Sequence, residues 1–306
     1  MSKCWRRWRR MSKTGRTILL SLLGLAVALG LFIPATIWMR GQVKQTQVIH
    51  DSRMAPVILV PGSSATQNRF NGLITTLNQR TSGHSLLKVT VKTDGSMTST
   101  GSIAARDNEP YIVVAFENNK DGYNNIKKQA RWFNIALKKL MATYHFNRFK
   151  GIGHSNGGLI WTLFLEKYYA SASMTISDLM TIGTPYNLEE SNASNRTQML
   201  VDLIKAKKNL PTSLTVYSLA GTATYSGDGT VPLSSVESGK YIFQNQVKHY
   251  TQITVSGDDA SHSDLPQNRQ IESYIQQYIL TNPNQQGVHV PASGQARPGV
   301  GSAPDE

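Results

Sequence analysis

Apolar residues follow two different spacings along this chain, and the two spacings alternate from residue 56 onwards. Short continuous apolar runs between turn residues predict buried strands, as in Pro56–Pro61 and Tyr111–Phe116. Apolar residues spaced three and four apart predict amphipathic helices, as at 67–81 and 124–144. Because such strands and helices alternate, the pattern predicts an α/β fold, with a mostly parallel sheet and helices on both of its faces.

The remaining segments follow the same reasoning. Asp94 and Gly95 are favourable turn residues and predict a hairpin between two of the strands. Further strands are predicted at 86–93, 96–104, 149–152, 214–220 and 250–255, and a strand followed by a turn is predicted at 179–185. Further helices are predicted at 158–169, around 199–204 and at 268–280.

The apolar pattern near the N-terminus is of another kind, because residues 18–39 contain no charge at all. As a helix, these residues would extend roughly 33 Å, which is enough to cross a bilayer core of about 30 Å. Trp38 and Arg40 stand where an interfacial anchor is expected. The alternatives are a cleaved signal peptide and a buried helix. The apolar run is long for a signal peptide, and the A-x-A sequence at Ala26–Ala28 lies in its middle.

The distribution of charge predicts how this helix is oriented across the membrane. The chain carries a net charge of +13, and seven lysines and arginines with no acidic residue lie before residue 17. Positive flanks stay in the cytoplasm, so the rest of the chain is expected outside the cytoplasmic membrane, or secreted if the helix is cleaved. The other 290 residues carry only +6, which argues against a nucleic-acid partner.

Composition and patterning divide the chain into five parts: a basic cytoplasmic segment at 1–17, a transmembrane signal anchor at 18–39, a polar stalk at 40–53, the α/β domain at 54–281 and a disordered tail at 282–306. Cys4 is the only cysteine and lies on the cytoplasmic side, so the exported part is expected to have no disulfide. No histidine or cysteine cluster has metal-ligand spacing, so neither a metal nor a cofactor is predicted.

The most informative motif is the pentapeptide Gly153–Gly157, which fits the G-x-S-x-G nucleophile elbow of α/β-hydrolases. The elbow is a tight turn from a strand into a helix, and a predicted strand and helix flank this one. Crowding at the turn favours glycine on either side of the serine. Ser155 is therefore the predicted nucleophile, and His154 is expected to be a packed neighbour rather than a catalytic group.

A serine hydroxyl needs a base and an orienting acid, which in these hydrolases follow it in the order acid and then histidine. Three histidines follow residue 155, and only His262 comes after the last predicted strand within the domain. His249 precedes that strand, and His289 lies in the tail. Asp228 follows the strand 214–220 between two glycines and is the predicted acid. The other aspartates are expected in turns, caps, a surface helix or ahead of a strand: Asp258, Asp259, Asp264, Asp202 and Asp178.

An oxyanion hole requires two backbone N–H groups that point at the developing charge. Asn156 follows the nucleophile and is expected to supply one of them. The loop after the first buried strand is expected to supply the other, from Ser63 or alternatively from Ser64. A plain glycine turn is the competing interpretation of this loop.

Together these motifs resemble those of a known protein family, over about residues 50–281. The chain is similar to an exported Gram-positive family of α/β-hydrolases known as domain of unknown function 915. The motifs are Val60–Ser64, Gly153–Gly158, Gly183–Pro185, Gly227–Pro232 and His262. The resemblance implies a lipase-like serine hydrolase fold with the same three catalytic positions. Ser63 departs from lipase-type loops, where a second glycine is common.

The sequence therefore predicts a membrane-anchored, extracytoplasmic serine hydrolase of the carboxylesterase or lipase type. Its substrate would be a small-molecule or lipid ester, and residues 18–39 would contact the membrane. Three alternatives are an acyltransferase, a peptidase, and a non-catalytic binding protein on the same scaffold. Nothing in the sequence specifies an oligomeric state. Residues 186–213 predict either a small lid or an ordinary packed helix, with four apolar residues on one face: Met199, Leu200, Leu203 and Ile204.

Overall fold

The structure is a computed structural model. It describes residues 12–50, 52–80, 83–192 and 194–280, with the backbone alone at 40–50. Most of the basic segment 1–17 and the predicted tail 282–306 lie outside the described residues.

One long helix, α1 (Lys13–His50), precedes the rest of the fold. Its segment up to Met39 is long and apolar enough to cross a membrane, and none of its most apolar stretch is buried against the protein. Leu31 and Phe32, for example, are about two-thirds exposed, at 71% and 67%. This exposure excludes the buried core helix and leaves an anchor or a signal sequence. The helix also continues into the predicted polar stalk, as far as His50.

An eight-stranded sheet forms the centre of the fold and confirms the predicted architecture. Its strands are β1 (Val57–Val60), β2 (Leu86–Val91), β3 (Met97–Gly101), β4 (Tyr111–Phe116), β5 (Arg148–His154), β6 (Thr175–Ile182), β7 (Thr215–Thr222) and β8 (His249–Ser256). The spatial order is β3-β2-β4-β1-β5-β6-β7-β8. Every neighbouring pair is parallel except the β2–β3 hairpin, which turns at Asp94 and Gly95 as predicted.

Helices cover both faces of this sheet. They are α2 (Asn71–Arg80), α3 (Tyr123–Tyr144), α4 (Asn156–Lys167), α5 (Gln198–Ala206), α6 (Leu233–Glu237), α7 (Lys240–Phe243) and α8 (Arg269–Tyr274). A hydrophobic core lies on each face of the sheet, and β1 contributes to both because side chains alternate between the faces of a strand. Ile58 and Val60 pack with residues of α3, α4 and α5. Val57 and Leu59 pack with residues of α2 and α8 on the other face.

Several element boundaries differ from the predicted ones. The closing helix predicted at 268–280 is an α-helix only to Tyr274 and continues as a π-helical turn, Ile275–Ile279. The second strand of the hairpin ends at Gly101, where φ is +84° and an added Cβ would lie 2.2 Å from the carbonyl oxygen of Leu86. Asp178 was expected ahead of its strand, but β6 begins at Thr175, so Asp178 lies within the strand.

The sheet also buries one unusual charge-bearing group at the C-terminal end of α4. Glu166 is 4% exposed, and neither oxygen of its carboxyl group has a hydrogen-bond partner within the described structure. Burial raises the pKa of Glu166 to about 9, with a smaller opposing effect from Lys167. A carboxyl group in such surroundings binds a proton rather than remaining charged. Glu166 is therefore neutral in the folded protein at pH 7.

This protonation predicts a pH dependence of stability. The pKa of Glu166 is raised on folding from its ordinary value of 4.5, so the folded state binds the extra proton. The contribution is fully present below pH 4.5 and is lost as pH rises towards 9, with a loss of about 3 kcal/mol by pH 7. We expect Glu166→Gln to raise the free energy of unfolding at pH 7 and to flatten its pH profile. Urea unfolding of the detergent-solubilised chain between pH 5 and 9 measures this, and equal slopes for both proteins would contradict it.

Candidate active site

Ser155 lies at a sharp turn between β5 and α4, where the strand–turn–helix sequence was predicted. Its backbone has φ +55° and ψ −129°, a conformation that side-chain-bearing residues rarely adopt. The N–H of Ser155 donates to the carbonyl of Ile182 on the neighbouring strand at 2.8 Å. This bond and the start of α4 hold the turn in place, so the hydroxyl group is carried at the carboxyl edge of the sheet.

The glycines of the pentapeptide are required by close backbone contacts. An added Cβ on Gly157 would lie 2.0 Å from the carbonyl oxygen of Val60. An added Cβ on Gly153 would lie 2.6 Å from the backbone nitrogen of Gly158. Neither contact can be relieved by rotating a side chain, because the atoms that would clash belong to the backbone. The crowding that was expected on either side of Ser155 is therefore present.

His262 bridges Ser155 and Asp228. Its Nε2 atom lies 3.0 Å from Ser155 Oγ, and its Nδ1 atom lies 2.6 Å from Asp228 Oδ2. A carboxylate can only accept, so Nδ1 carries the hydrogen and Nε2 is left to accept from the serine hydroxyl. The structure thus brings together the three side chains that the sequence singled out as nucleophile, base and acid.

The carboxylate of Asp228 is held in one orientation by its own turn. The side chain is buried, at 2% exposure, after strand β7. Its Oδ1 atom accepts from the backbone N–H groups of Thr230, at 3.0 Å, and Val231, at 2.7 Å. The N–H of His262 donates to the main-chain carbonyl of Asp228 at 2.9 Å. With Oδ1 occupied in this way, Oδ2 faces His262 alone.

His154 forms a hydrogen bond to the loop that carries His262, which the sequence did not indicate. Its Nε2 atom lies 3.0 Å from the carbonyl oxygen of His262, so it donates there, and the two imidazole rings are 4.9 Å apart. Burial lowers the pKa of His154 well below its ordinary value, and the nearby His262 and Arg69 lower it further. A neutral, buried imidazole fits the expected packed neighbour. Its hydrogen bond also fixes the loop that carries His262.

Two backbone N–H groups lie in the cleft that Ser155 also lines and have no acceptor in the described part of the chain. Within the described residues, the N–H groups of Ser63 and Asn156 donate to no acceptor, and both residues line the cleft. Ser64 is different, because its N–H donates to the carbonyl of Asn119 at 2.9 Å. An added Cβ on Gly62 would lie 2.6 Å from the Cβ of Ser155, so this loop passes directly beside Ser155. Of the two serines, Ser63 is therefore the one whose N–H is available.

A cleft of about 580 Å³ opens above these groups. Its walls include several residues to which the sequence gave no role: Arg69, Asp121, Pro185, Leu188, Glu189, Thr230 and Val231. Asp121 Oδ1 accepts from the Asn156 side chain at 2.7 Å and so joins the loop after β4 to the elbow. Only its place after a strand, at the carboxyl edge of the sheet, could have indicated Asp121 in advance.

The segment predicted as a lid or a packed helix contributes little to the cleft. Met199, Leu200 and Leu203 on α5 are buried in the main core and do not line the cleft. Leu188 and Glu189, earlier in the same segment, form part of its wall. The packed-helix interpretation therefore fits α5. Within the described chain, no three His, Cys, Asp or Glu side chains are grouped to hold a metal ion.

Comparison with known proteins places this geometry in a family. The model of the family described as "Alpha/beta hydrolase of unknown function (DUF915)" matches residues 44–282. One similar protein is a candidate cell surface hydrolase from Lactobacillus plantarum WCFS1, whose crystal structure is known. Its sequence is 59% identical to this chain and its structure matches with a TM-score of 0.70, over 76% of this chain and 95% of that one. The lin2722 gene product of Listeria innocua is 26% identical, with a TM-score of 0.67, over 75% of this chain and 96% of that one. Among curated proteins, no significant match was found.

The close contacts at the elbow predict a strong effect of one added methyl group. Gly157→Ala would place a Cβ against the Val60 carbonyl, so we expect it to lower the free energy of unfolding by about 1–3 kcal/mol or more. Urea unfolding of the full chain, followed by tryptophan fluorescence, measures the change.

Gly72→Ala is the matched control. Gly72 lies in α2, and an added Cβ would have its nearest neighbour, the Gln267 Cγ atom, at an ordinary 3.4 Å. Alanine is a better helix former than glycine, so this variant is expected to be as stable as the parent or slightly more stable. Equal stability of the two variants would show that the elbow is not crowded.

Proposed function

The chain belongs to the DUF915 family of α/β-hydrolases, and we propose that it is a membrane-anchored serine esterase that works outside the cytoplasmic membrane. The observation that carries the proposal is the position of His262, within hydrogen-bond distance of both Ser155 Oγ and Asp228 Oδ2. An imidazole in this position can remove the hydroxyl proton while the carboxylate stabilises the resulting cation.

The chemistry proceeds in two stages. Ser155 Oγ attacks the ester carbonyl and forms a bond to its carbon, while His262 Nε2 takes the hydroxyl proton. The N–H groups of Ser63 and Asn156 stabilise the oxyanion. The tetrahedral intermediate then expels the alcohol, to which His262 gives its proton, and an acyl-enzyme remains. Water attacks this acyl-enzyme with His262 again as base, which releases the acid and restores Ser155.

The cleft supports an ester of modest size as the substrate. Its volume of about 580 Å³ lies within the range of about 300–1,000 Å³ that is usual for small-molecule sites. Pro185, Leu188 and Val231 supply an apolar part of its wall, against which an acyl chain can pack. A small-molecule or lipid ester meets both conditions.

Helix α1 supports the proposed location. Its apolar segment fits an uncleaved signal anchor, with the basic residues before it held in the cytoplasm. The Lactobacillus plantarum relative is named as a candidate cell surface hydrolase, which agrees with this orientation. The catalytic domain would then stay tethered at the outer face of the membrane.

The proposed nucleophile predicts a covalent label on one residue. A fluorophosphonate probe reacts with serines that are activated by a neighbouring base, so we expect it to label the full-length protein in neutral detergent. Ser155→Ala is expected to abolish labelling while the protein stays folded, as judged by its circular dichroism. Labelling that persists in folded Ser155→Ala, or that is absent from the folded parent, would overturn the esterase proposal.

The proposed acid predicts a graded loss of rate. Asp228→Asn keeps the shape of the side chain but favours the wrong tautomer of His262. We expect kcat for p-nitrophenyl butyrate to fall by about 10⁴, the size of effect found for the corresponding change in a serine protease. Asp258→Asn is the control, because Asp258 is exposed and lies in the loop before His262. Similar rates for both variants would show that Asp228 does not orient the base.

The orientation of the anchor can be tested with the single cysteine. Cys4 is the only native thiol and is expected inside the cell, whereas Tyr225 lies in the hydrolase domain and is fully exposed. In intact cells, we expect a membrane-impermeant maleimide to label Tyr225→Cys in a Cys4→Ser background but to leave Cys4 of the parent unlabelled. Labelling of Cys4 alone would reverse the orientation. Labelled Tyr225→Cys protein of reduced mass in the medium would indicate cleavage.

A further inference from the structure

Arg69 brings a positive charge into the cleft beside the nucleophile. It precedes α2, is half-buried and lies with Ser155 and His262 in the cleft wall. Within the described lining, it is the only lysine or arginine. One of its guanidinium nitrogens, Nη2, donates to the carbonyl of Ser263 at 2.5 Å. The charge is therefore held next to the residue that follows the catalytic base.

No acidic side chain of the described structure balances this charge at close range. Arg69 forms no salt bridge there, although three carboxylates lie in the same region. Asp121 already accepts from the Asn156 side chain and from the N–H of Gly122. Asp264 accepts from the Ser261 hydroxyl group and attracts Arg69 only from a distance. The third, Glu189, is exposed in the wall of the cleft.

The guanidinium group of Arg69 is partly removed from water. Burial lowers the pKa of Arg69, which shows that the guanidinium has lost part of its hydration, and the attraction of Asp264 offsets this only in part. Buried charges in proteins are normally paired. A guanidinium has five N–H donors, and one contact with a backbone carbonyl leaves most of them available.

We propose that Arg69 is a specificity-determining residue that binds a negatively charged group, a carboxylate or a phosphate, on the substrate ester. The proposal rests on the serine esterase activity proposed above. The planar guanidinium matches both groups because it can donate two parallel hydrogen bonds to them. The anionic group would lie in the cleft beside the scissile ester, either on the alcohol or on the acyl chain.

A purely structural role for Arg69 makes a different prediction. If Arg69 only held the Ser263 carbonyl, and through it the loop of His262, then its loss would slow every ester to the same extent. Recognition of an anion instead changes the ratio of the rates for charged and uncharged esters. The decisive quantity is therefore a ratio of kcat/KM values within one protein.

Two matched pairs of esters measure this ratio with the full-length protein in neutral detergent. The first pair places the charge on the alcohol: 1-butyryl-glycerol 3-phosphate against 1-butyrylglycerol. The second places it on the acyl chain: monomethyl suberate against dimethyl suberate. We expect kcat/KM to favour the charged ester at least tenfold in one pair, and that pair identifies the side that carries the anion.

Variants of Arg69 test whether the preference for the charged ester depends on the positive charge of this side chain. Arg69→Gln is expected to reduce the charged-to-neutral ratio at least tenfold, and Arg69→Lys to retain part of it. A ratio near one in both pairs for the parent, or a ratio unchanged in Arg69→Gln, would overturn the proposal. Fluorophosphonate labelling separates the two claims. A labelled protein that hydrolyses neutral esters without an anionic preference refutes only the role of Arg69, whereas an unlabelled protein refutes the esterase.

Discussion

The arrangement of Ser155, Asp228 and His262 depends on one backbone constraint, the left-handed conformation of Ser155 at the end of β5. With φ at +55°, the chain turns from strand to helix within a single residue, so the hydroxyl group projects above the sheet. The turn fits only because Gly157 allows the backbone of α4 to approach the Val60 carbonyl. Asn156, which precedes Gly157, and Ser63, in the loop after Val60, both line the cleft beside Ser155. The contact thus places Ser155 beside the loop after β1, where an added Cβ on Gly62 would lie 2.6 Å from the Cβ of Ser155.

A second set of contacts joins the neighbouring loops to one another. The Asp228 turn fixes its own carboxylate with the Thr230 and Val231 N–H groups, and its main-chain carbonyl accepts from the His262 N–H. His154 donates to the carbonyl of His262 from the elbow side. His262 is therefore held by three contacts: one with the Asp228 carboxylate, one with the Asp228 main-chain carbonyl and one with the side chain of His154. Parallel strands make this possible because the carboxyl ends of β5, β7 and β8 meet at one edge.

The local sequence was sufficient to predict the sheet, the elbow and the three side chains that meet beside the elbow. Each lies in a short motif that follows a strand, and chain order then separated Asp228 and His262 from the other aspartates and histidines. The remaining features depend on contacts between distant parts of the chain, which local patterns do not record. The hydrogen bond from His154 to His262 joins residues 108 apart, and that from Arg69 to Ser263 joins residues 194 apart. The burial of Glu166 could not be predicted from the sequence either, because a glutamate near the end of a helix is usually a surface residue.

The central claim is that His262 and Asp228 activate Ser155 to form an acyl-enzyme. Rapid acid quench of the full-length protein with p-nitrophenyl butyrate, followed by mass spectrometry of its peptides, tests this directly. The account predicts a butyryl group on Ser155 within the first turnover, with none on the same peptide of Ser155→Ala. Formation of p-nitrophenol without a butyryl group on Ser155, or with the group on another residue, would contradict it.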